Sequence, residues 1–266
     1  MRLVQQSLGA QVLFAQWPSS DRPLLYLSPL MLEGLPRRGG VPILFPQFAD
    51  RGTLPKHGFA RNASWQCMDE VQSEGLSQSH YHLEITPHLI SDWPHRASLD
   101  LWVNLAASEM SMHLQIANCG QDSFTWTGGF HPYWSVDDLL DTQIIGLQNT
   151  PCEDRFAPEL KVDGAAQLTF TNAMLERLYL AAPSIELVTS QRRILLECEG
   201  FSQWMVWNPG TQGERDFADL PLGDWRHFVC VEPVIASTAH VLLPGEVFTG
   251  KLRATIQHGA QPRTHA

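Results

Sequence analysis

Leu99-Asp100-Leu101-Trp102-Val103-Asn104-Leu105, followed beyond the short polar break Ala107-Ser108-Glu109 by Met110-Ser111-Met112-His113-Leu114-Gln115-Ile116, decides the architecture. Leu99, Leu101, Val103 and Leu105 share one parity, and Met112, Leu114 and Ile116 repeat it after the break. Side chains alternate between the two faces of a strand, whereas a helix brings positions three and four apart onto one side. The stretch therefore predicts two half-buried strands joined as a hairpin.

The same period of two extends outward from it. Tyr81, Leu83 and Ile85 alternate with His82, Glu84 and Thr86, and Phe124 and Trp126 begin another such segment. Ile194-Leu195-Leu196 and Phe228-Val229-Cys230-Val231 are uninterrupted apolar runs and read as more deeply buried strands. No long amphipathic helix pattern accompanies them. The 18 prolines and 19 glycines are spread between these segments, the punctuation of many short strands joined by turns. The expected fold is all-β, a large antiparallel β-sandwich formed by residues 1–266 as a single domain, a usual length for one sandwich. Asn149 to Gln167, the most polar and least periodic stretch, reads as a long surface loop.

Composition narrows the functions. With 28 acidic against 18 basic residues the net charge is -10, which argues against nucleic acid as a partner. Five bases nevertheless fall close together, Arg37, Arg38, Arg51, Lys56 and Arg61, enough to hold one small anion locally. Five widely spaced cysteines without a C-x-x-C pair suggest neither a disulfide framework nor a zinc ribbon. The opening residues turn polar too early for a signal peptide, and no stretch has the length to span a bilayer. A cytoplasmic protein with reduced thiols and no membrane partner is the simplest expectation; the oligomeric state is open, a monomer included.

The signatures G-x-G-x-x-G, the P-loop, G-x-S-x-G and H-E-x-x-H are all missing. Acid–base chemistry remains. Val229 and Val231 lie on one parity of their strand, so Cys230 and Glu232 point to the opposite face, and a strand-interior carboxylate needs a partner or a function there. His131 precedes Pro132 and so is biased to extended backbone, with Gly128-Gly129 allowing a tight turn just before it. His57 lies in a similar Gly- and aromatic-rich setting. Either histidine alone is more often a surface or core residue than a catalyst.

Five segments taken together are more specific: R-G-G-V-P at Arg38 to Pro42, H-G-F-A-R-N at His57 to Asn62, F-H-P-Y at Phe130 to Tyr133, V-W-N-P at Val206 to Pro209 and V-C-V-E-P at Val229 to Pro233. In that order they resemble the hexose-6-phosphate mutarotase branch of the aldose 1-epimerase family. The resemblance implies a galactose-mutarotase-like supersandwich, in keeping with the period of two. It implies Glu232 as general base, His131 as general acid and His57 as a second histidine holding the sugar. Arg38 and Arg61 match the bases that distinguish the phosphosugar branch. Glu176 stands where relatives carry a shorter aspartate, and Asp219 near a frequent family aspartate, so both are expected to contact substrate. Gly210 replaces the usual aromatic after N-P. No metal and no cofactor is implied, and the expected partner is a small phosphosugar whose hexose is not specified.

Two tryptophans beside these motifs, Trp134 and Trp207, are either core or sugar platform. Three rival readings stand beside the mutarotase. His80, His82, Glu84, His88 and His95 crowd one stretch, as in a metal-dependent β-barrel enzyme, but His82, Glu84 and Thr86 alternate with apolar residues as the polar face of a strand does. A sensor that binds phosphosugars without turnover is the second. Glycoside hydrolysis by paired carboxylates is the third, for which only Glu232 has a persuasive setting.

Overall fold

The computed structural model describes residues 1–18, 20–32, 36–87 and 92–257. The hairpin predicted from Leu99 to Ile116 is present as the strands Ala97–Ala106 and Glu109–Asn118, with Leu99 opposite Ile116, Leu101 opposite Leu114 and Val103 opposite Met112. The turn is shorter than the polar break, since Glu109 already pairs. Burial alternates strictly along both strands. A slip of one residue would turn Asp100, Trp102, Asn104 and His113 inward in place of the leucines, so the apolar parity locks the register.

These strands lie within a nine-stranded antiparallel sheet. Its order runs Gln167–Thr169, Gln143–Ile145, Ile185–Val188, Arg193–Glu199, Val247–Gln257, Glu109–Asn118, Ala97–Ala106, Leu76–Ile85, Gln66–Gln72. An eight-stranded sheet faces it, running Val162–Asp163, Thr150–Asp154, Leu175–Tyr179, Gln203–Asn208, Phe228–Leu242, Phe124–Phe130, Ile43–Leu44, with Tyr133–Ser135 paired to the start of Phe228–Leu242. A hairpin of Arg2–Gln5 and Val12–Gln16 forms a further small sheet. Helical segments among the described residues are single turns. The fold is an all-β, antiparallel sandwich.

The core between the sheets joins Leu83, Leu101, Leu114, Ile194 and Leu252 of the larger sheet to Phe130, Tyr179, Trp204, Val206, Val229 and Val231 of the other. A buried side chain of this size stabilises by about 1.5–3 kcal/mol, which makes this shared layer the main adhesive of the fold. The eight-stranded sheet is covered on its other face as well. Leu44, Phe48, Leu178, Met205 and Val234 form one cluster there, and Tyr26, Tyr133, Phe228 and Cys230 another. A sheet buried on both sides explains why Phe228-Val229-Cys230-Val231 has no polar interruption; all four are fully buried.

Two expectations are corrected. Ile194 and Leu196 are buried but Leu195 is only half-buried, because their strand belongs to the larger sheet, whose outer face meets solvent. The stretch from Asn149 to Gln167 is not a loop throughout. Thr150–Asp154 and Val162–Asp163 pair with each other and extend the eight-stranded sheet, and Gln167 begins an edge strand of the other. Its polarity is instead internal: Arg177 Nε donates to Asp154 at 2.7 Å, Arg177 Nη1 to Asp163 at 2.8 Å, and the Tyr179 hydroxyl to Asp163 at 2.6 Å. Buried charges are tolerated when paired in this way, and polarity alone then mimics a loop.

All five cysteines are free thiols. No helix among the described residues is long and apolar enough to cross a membrane.

Candidate active site

The outer face of the eight-stranded sheet carries a cavity of about 420 Å³. Register builds its floor. Glu232 pairs with Met205, which pairs with Leu178; one row along, Cys230 pairs with Trp207, which pairs with Glu176. Directly paired residues share a face, and so do residues two apart. Glu232, Met205, Trp207 and Glu176 therefore all line the cavity, while Val229, Val231 and Val206 go to the inter-sheet core.

His131 follows directly after Phe124–Phe130, and its N–H donates to the Pro42 carbonyl at 3.0 Å. The preceding glycines do not turn the chain. Gly128 and Gly129 are strand residues with φ of 149° and 150°, paired with Ile235 and Val234 on one side, and Gly129 with Leu44 on the other. A Cβ on Gly128 would collide with the Leu44 carbonyl, and one on Gly129 with the Pro233 carbonyl. The glycines thus let three strands close up, which carries His131 to Glu232: Nε2 lies 3.5 Å from Glu232 Oε1.

His57 has a left-handed backbone, φ 68°, which costs of order 1–3 kcal/mol outside glycine. Reciprocal bonds hold it there. Its N–H donates to the Ala49 carbonyl at 3.0 Å, and the Ala49 N–H donates to His57 Nδ1 at 3.2 Å. An amide nitrogen only donates, so Nδ1 is unprotonated and neutral His57 carries its hydrogen on Nε2. Its ring meets that of His131 edge-on at 5.4 Å, and His131 stacks on Tyr133 at 4.9 Å.

Burial governs the charges. It pushes Glu232 well above the usual carboxylate range, with the negative charge of Glu176 adding to the effect. It pushes His131 down to about 3, helped by the positive charge of Arg61, and depresses His57 in the same way, helped by His131 and Arg61. A depressed histidine contributes stability that is complete above its ordinary value and is lost as pH falls towards the folded one. Acid should therefore destabilise the protein progressively from pH 6.5 towards about 3 through His131. Replacing His131 with Asn should flatten that limb in urea melts taken across the range. An unchanged limb would mean that other groups drive acid unfolding.

Of the five clustered bases, Arg38, Lys56 and Arg61 line the cavity. Arg37 instead donates to the Ser28 carbonyl, and Arg51 pairs with Glu153 at 3.3 Å. Arg38 is held on three sides: Nε donates to Asp219 Oδ1 at 2.6 Å, Nη1 approaches the Tyr133 hydroxyl at 3.4 Å, and the guanidinium lies 4.1 Å from the centre of the Phe217 ring. Arg61 donates to the Lys56 carbonyl at 2.9 Å, its Nε is buried without a partner, and it forms no ion pair with a described carboxylate. Burial lowers its proton affinity, and the nearby Arg38 charge lowers it further.

Glu176 lies in the cavity and accepts from Arg155 at 2.9 Å. Asp219 does not line it; its carboxylate accepts from Arg38. Trp134 is core, fully buried and donating to the Val231 carbonyl at 3.1 Å, whereas Trp207 lines the cavity edge-on to His131 and Tyr133. Gly210 has φ 60° and packs on the 172–174 backbone, so a larger residue would not fit. Sequence reasoning missed Arg155, which sits in the stretch read as loop, and Phe217, for which no local signal exists. Tyr133 lay within F-H-P-Y without a role.

The described residues of the histidine-rich stretch form no part of this cavity. His80 Nε2 and His82 Nδ1 both bond Asp100 Oδ1, at 2.7 and 3.0 Å, on the outer face of the larger sheet, and His80 stacks on Trp102. Glu84 is exposed, and His95 packs against Trp93 and Phe124. His88 lies outside the described residues.

The sandwich carries acid–base groups and cations on the outer face of one sheet, and comparison with known proteins identifies its family. The sequence profile of the aldose 1-epimerase family matches residues 1–255, and the chain belongs to that family. It is 28% identical over 258 residues to a protein of Cenchrus ciliaris provisionally named glucose-6-phosphate 1-epimerase, covering 92% of this chain and 78% of that one. The crystal structure of a provisionally assigned mutarotase from Salmonella typhimurium superposes with a TM-score of 0.82 at 25% identity, covering 94% of this chain and 84% of the other. A galactose mutarotase related enzyme of Lactobacillus acidophilus shares the fold, with a TM-score of 0.73 at 13% identity over 97% of this chain and 95% of that one. The fold is galactose-mutarotase-like, and family membership supports an isomerase of the mutarotase kind.

Proposed function

We propose that the chain interconverts the α and β anomers of a hexose 6-phosphate, with Glu232 and His131 as the acid–base pair. The observation that carries this reading is the 3.5 Å approach of His131 Nε2 to Glu232 Oε1 in a cavity that also holds Arg38, Lys56 and Arg61. Anomer exchange needs a proton taken from the O1 hydroxyl and another delivered to the ring oxygen. Those two oxygens share C1, so two groups this close together can serve both. Ring opening takes the pair from Glu232 carboxylate and His131 imidazolium to Glu232 acid and neutral His131. Rotation of the C1 aldehyde exposes its other face, and closure returns both protons along the same paths. The pair keeps one proton in the free cavity, and burial favours placing it on the carboxyl, the form the open-chain sugar meets. Moving that proton to His131 across the 3.5 Å gap prepares the site for a cyclic sugar.

The Nε2–H of His57 can donate to a sugar oxygen, and Trp207 offers an apolar edge to the ring. Arg61, half-buried and without an ion pair to a described carboxylate, is the best-placed holder of the 6-phosphate, with Lys56 beside it and Arg38 presented by Asp219. Fixing this remote group would position C1 between acid and base. Glu176 adds a second carboxylate to the cavity, and its ion pair with Arg155 leaves it able to accept from a sugar hydroxyl.

Exchange NMR on the anomeric protons of glucose 6-phosphate tests the reading: catalytic amounts of protein should accelerate α–β exchange. Binding without acceleration would instead indicate a phosphosugar sensor. Arg61→Ala should lower the preference in kcat/KM for glucose 6-phosphate over glucose by roughly 10- to 100-fold, the worth of a charged hydrogen bond. Equal use of the two sugars by the parent protein would remove the phosphate assignment.

A further inference from the structure

Strand alternation gives Glu232 a neighbour that anomer exchange does not use. Cys230 lies two residues earlier on the same face and is fully buried. One donor atom each from His131, Cys230 and Glu232 lie within 4.8 Å of one another. Two more polar atoms of the same group, Glu232 Oε2 and His131 Nδ1, are buried without hydrogen-bond partners. Burial raises the proton affinity of the Glu232 carboxyl and the Cys230 thiol and lowers that of His131, so all three favour their uncharged forms. Such a group gains from a cation able to take a thiolate, an imidazole and a carboxylate together. Zinc does so at about 2.0–2.3 Å per ligand in a tetrahedron, which places the donors roughly 3.3–3.8 Å apart. Closing from the observed spacing takes movements of about an ångström or less.

We propose that His131, Cys230 and Glu232 form an inhibitory site for a thiophilic divalent cation, Zn²⁺ or its congener Cd²⁺, which blocks the enzyme by occupying both acid–base groups. Binding transfers no electrons. The Cys230 proton and the single proton shared by Glu232 and His131 leave to solvent, so two protons are released per ion. His131 and Glu232 line the cavity, which leaves the fourth coordination position facing it for a water molecule. Mg²⁺ and Ca²⁺, which prefer all-oxygen shells, should neither bind nor inhibit. The proposal rests on the geometry of three side chains and is independent of which sugar the cavity takes.

The test uses chain in which the two exposed thiols are removed, Cys67→Ser with Cys119→Ser, so that surface cysteines do not report. Cd²⁺ titration should produce a thiolate-to-metal charge-transfer band that saturates at one ion per chain. Zn²⁺ competition against a chromophoric chelator should give the same stoichiometry, with two protons released into dilute buffer. Adding Cys230→Ala should abolish the band and weaken Zn²⁺ binding roughly 100-fold or more, since even an outer-sphere partner is worth 10- to 100-fold. It should leave sugar turnover in chelator unchanged. Should that variant fail to fold, Cys230→Val serves the same comparison. No band, unchanged Zn²⁺ affinity in the Cys230 variant, or faster turnover on adding Zn²⁺ would each overturn the proposal. Binding is read without turnover, so failure of the metal site and failure of the mutarotase reading are distinguishable.

Discussion

Glu232→Gln is expected to suppress anomer exchange, lowering kcat by roughly 10²- to 10⁴-fold, the usual worth of one general acid–base group. The substitution keeps the side chain's size and its place between Val231 and Pro233, and the amide neither accepts nor delivers a proton at neutral pH. Affinity for the phosphosugar should change little, because Arg38, Lys56 and Arg61 lie elsewhere on the cavity wall. A folded variant is expected, since replacing a carboxyl that burial already drives towards its uncharged form removes no buried charge. Exchange NMR at saturating sugar gives the rate and calorimetry the affinity. A variant exchanging anomers at the parent rate would eliminate Glu232 as the base; one that loses binding in step with rate would make it a sugar ligand instead.

Gly129→Ala is expected to have the largest effect on stability, at least about 3 kcal/mol, in the tail that marks overpacking combined with strain. Gly129 pairs on both sides, with Val234 and with Leu44, at a φ of 150°. An added Cβ would meet the Pro233 carbonyl and the Val234 Cα, both backbone and neither free to yield. Relief requires the Phe124–Phe130 strand to move from Phe228–Leu242, and His131 is carried by the first of these, Glu232 by the second. Even a folded variant should therefore lose activity. Gly164→Ala is the control, because nothing lies within 4 Å of its added methyl, and it should change stability by less than about 0.5 kcal/mol. Urea denaturation of the pair gives the comparison. A Gly129 variant as stable as the control would show that the close approach of these three strands is not required.

The legible part of this protein was the part with a local period. Leu99 to Ile116 declare their parity in sequence because a strand places alternate residues in different media, and so do Val229, Val231 and Glu232. Periodicity failed where tertiary pairing changed the medium. Leu195 looks like its neighbours, yet it is only half-buried because its strand joined the sheet with a solvated face. Asp154 and Asp163 look like loop residues and are buried, because Arg177 arrives from a strand beyond them. Gly128-Gly129 looked like a turn, and only the neighbouring carbonyls reveal close packing as its purpose.

The site divides along the same line. Residues within the five motif segments were named from resemblance, and His57, His131, Glu232, Arg38 and Arg61 do line one cavity. Arg155 and Phe217 were not named, since their contributions depend on Glu176 and Arg38, partners remote in sequence. Asp219 was named as a ligand; its carboxylate bonds Arg38 and is not among the residues lining the cavity.

By itself the sequence determined the all-β sandwich, the face that each strand buries and the presence of acid–base side chains, because these follow from alternation and residue type, properties carried within a few neighbouring positions. Only the tertiary structure decided that a histidine from one strand's end and a glutamate from the middle of another meet at 3.5 Å, and that Arg61 lies beside them without an ion pair to a described carboxylate. Distances between remote residues depend on strand order and register, and those are set by the packing of whole sheets.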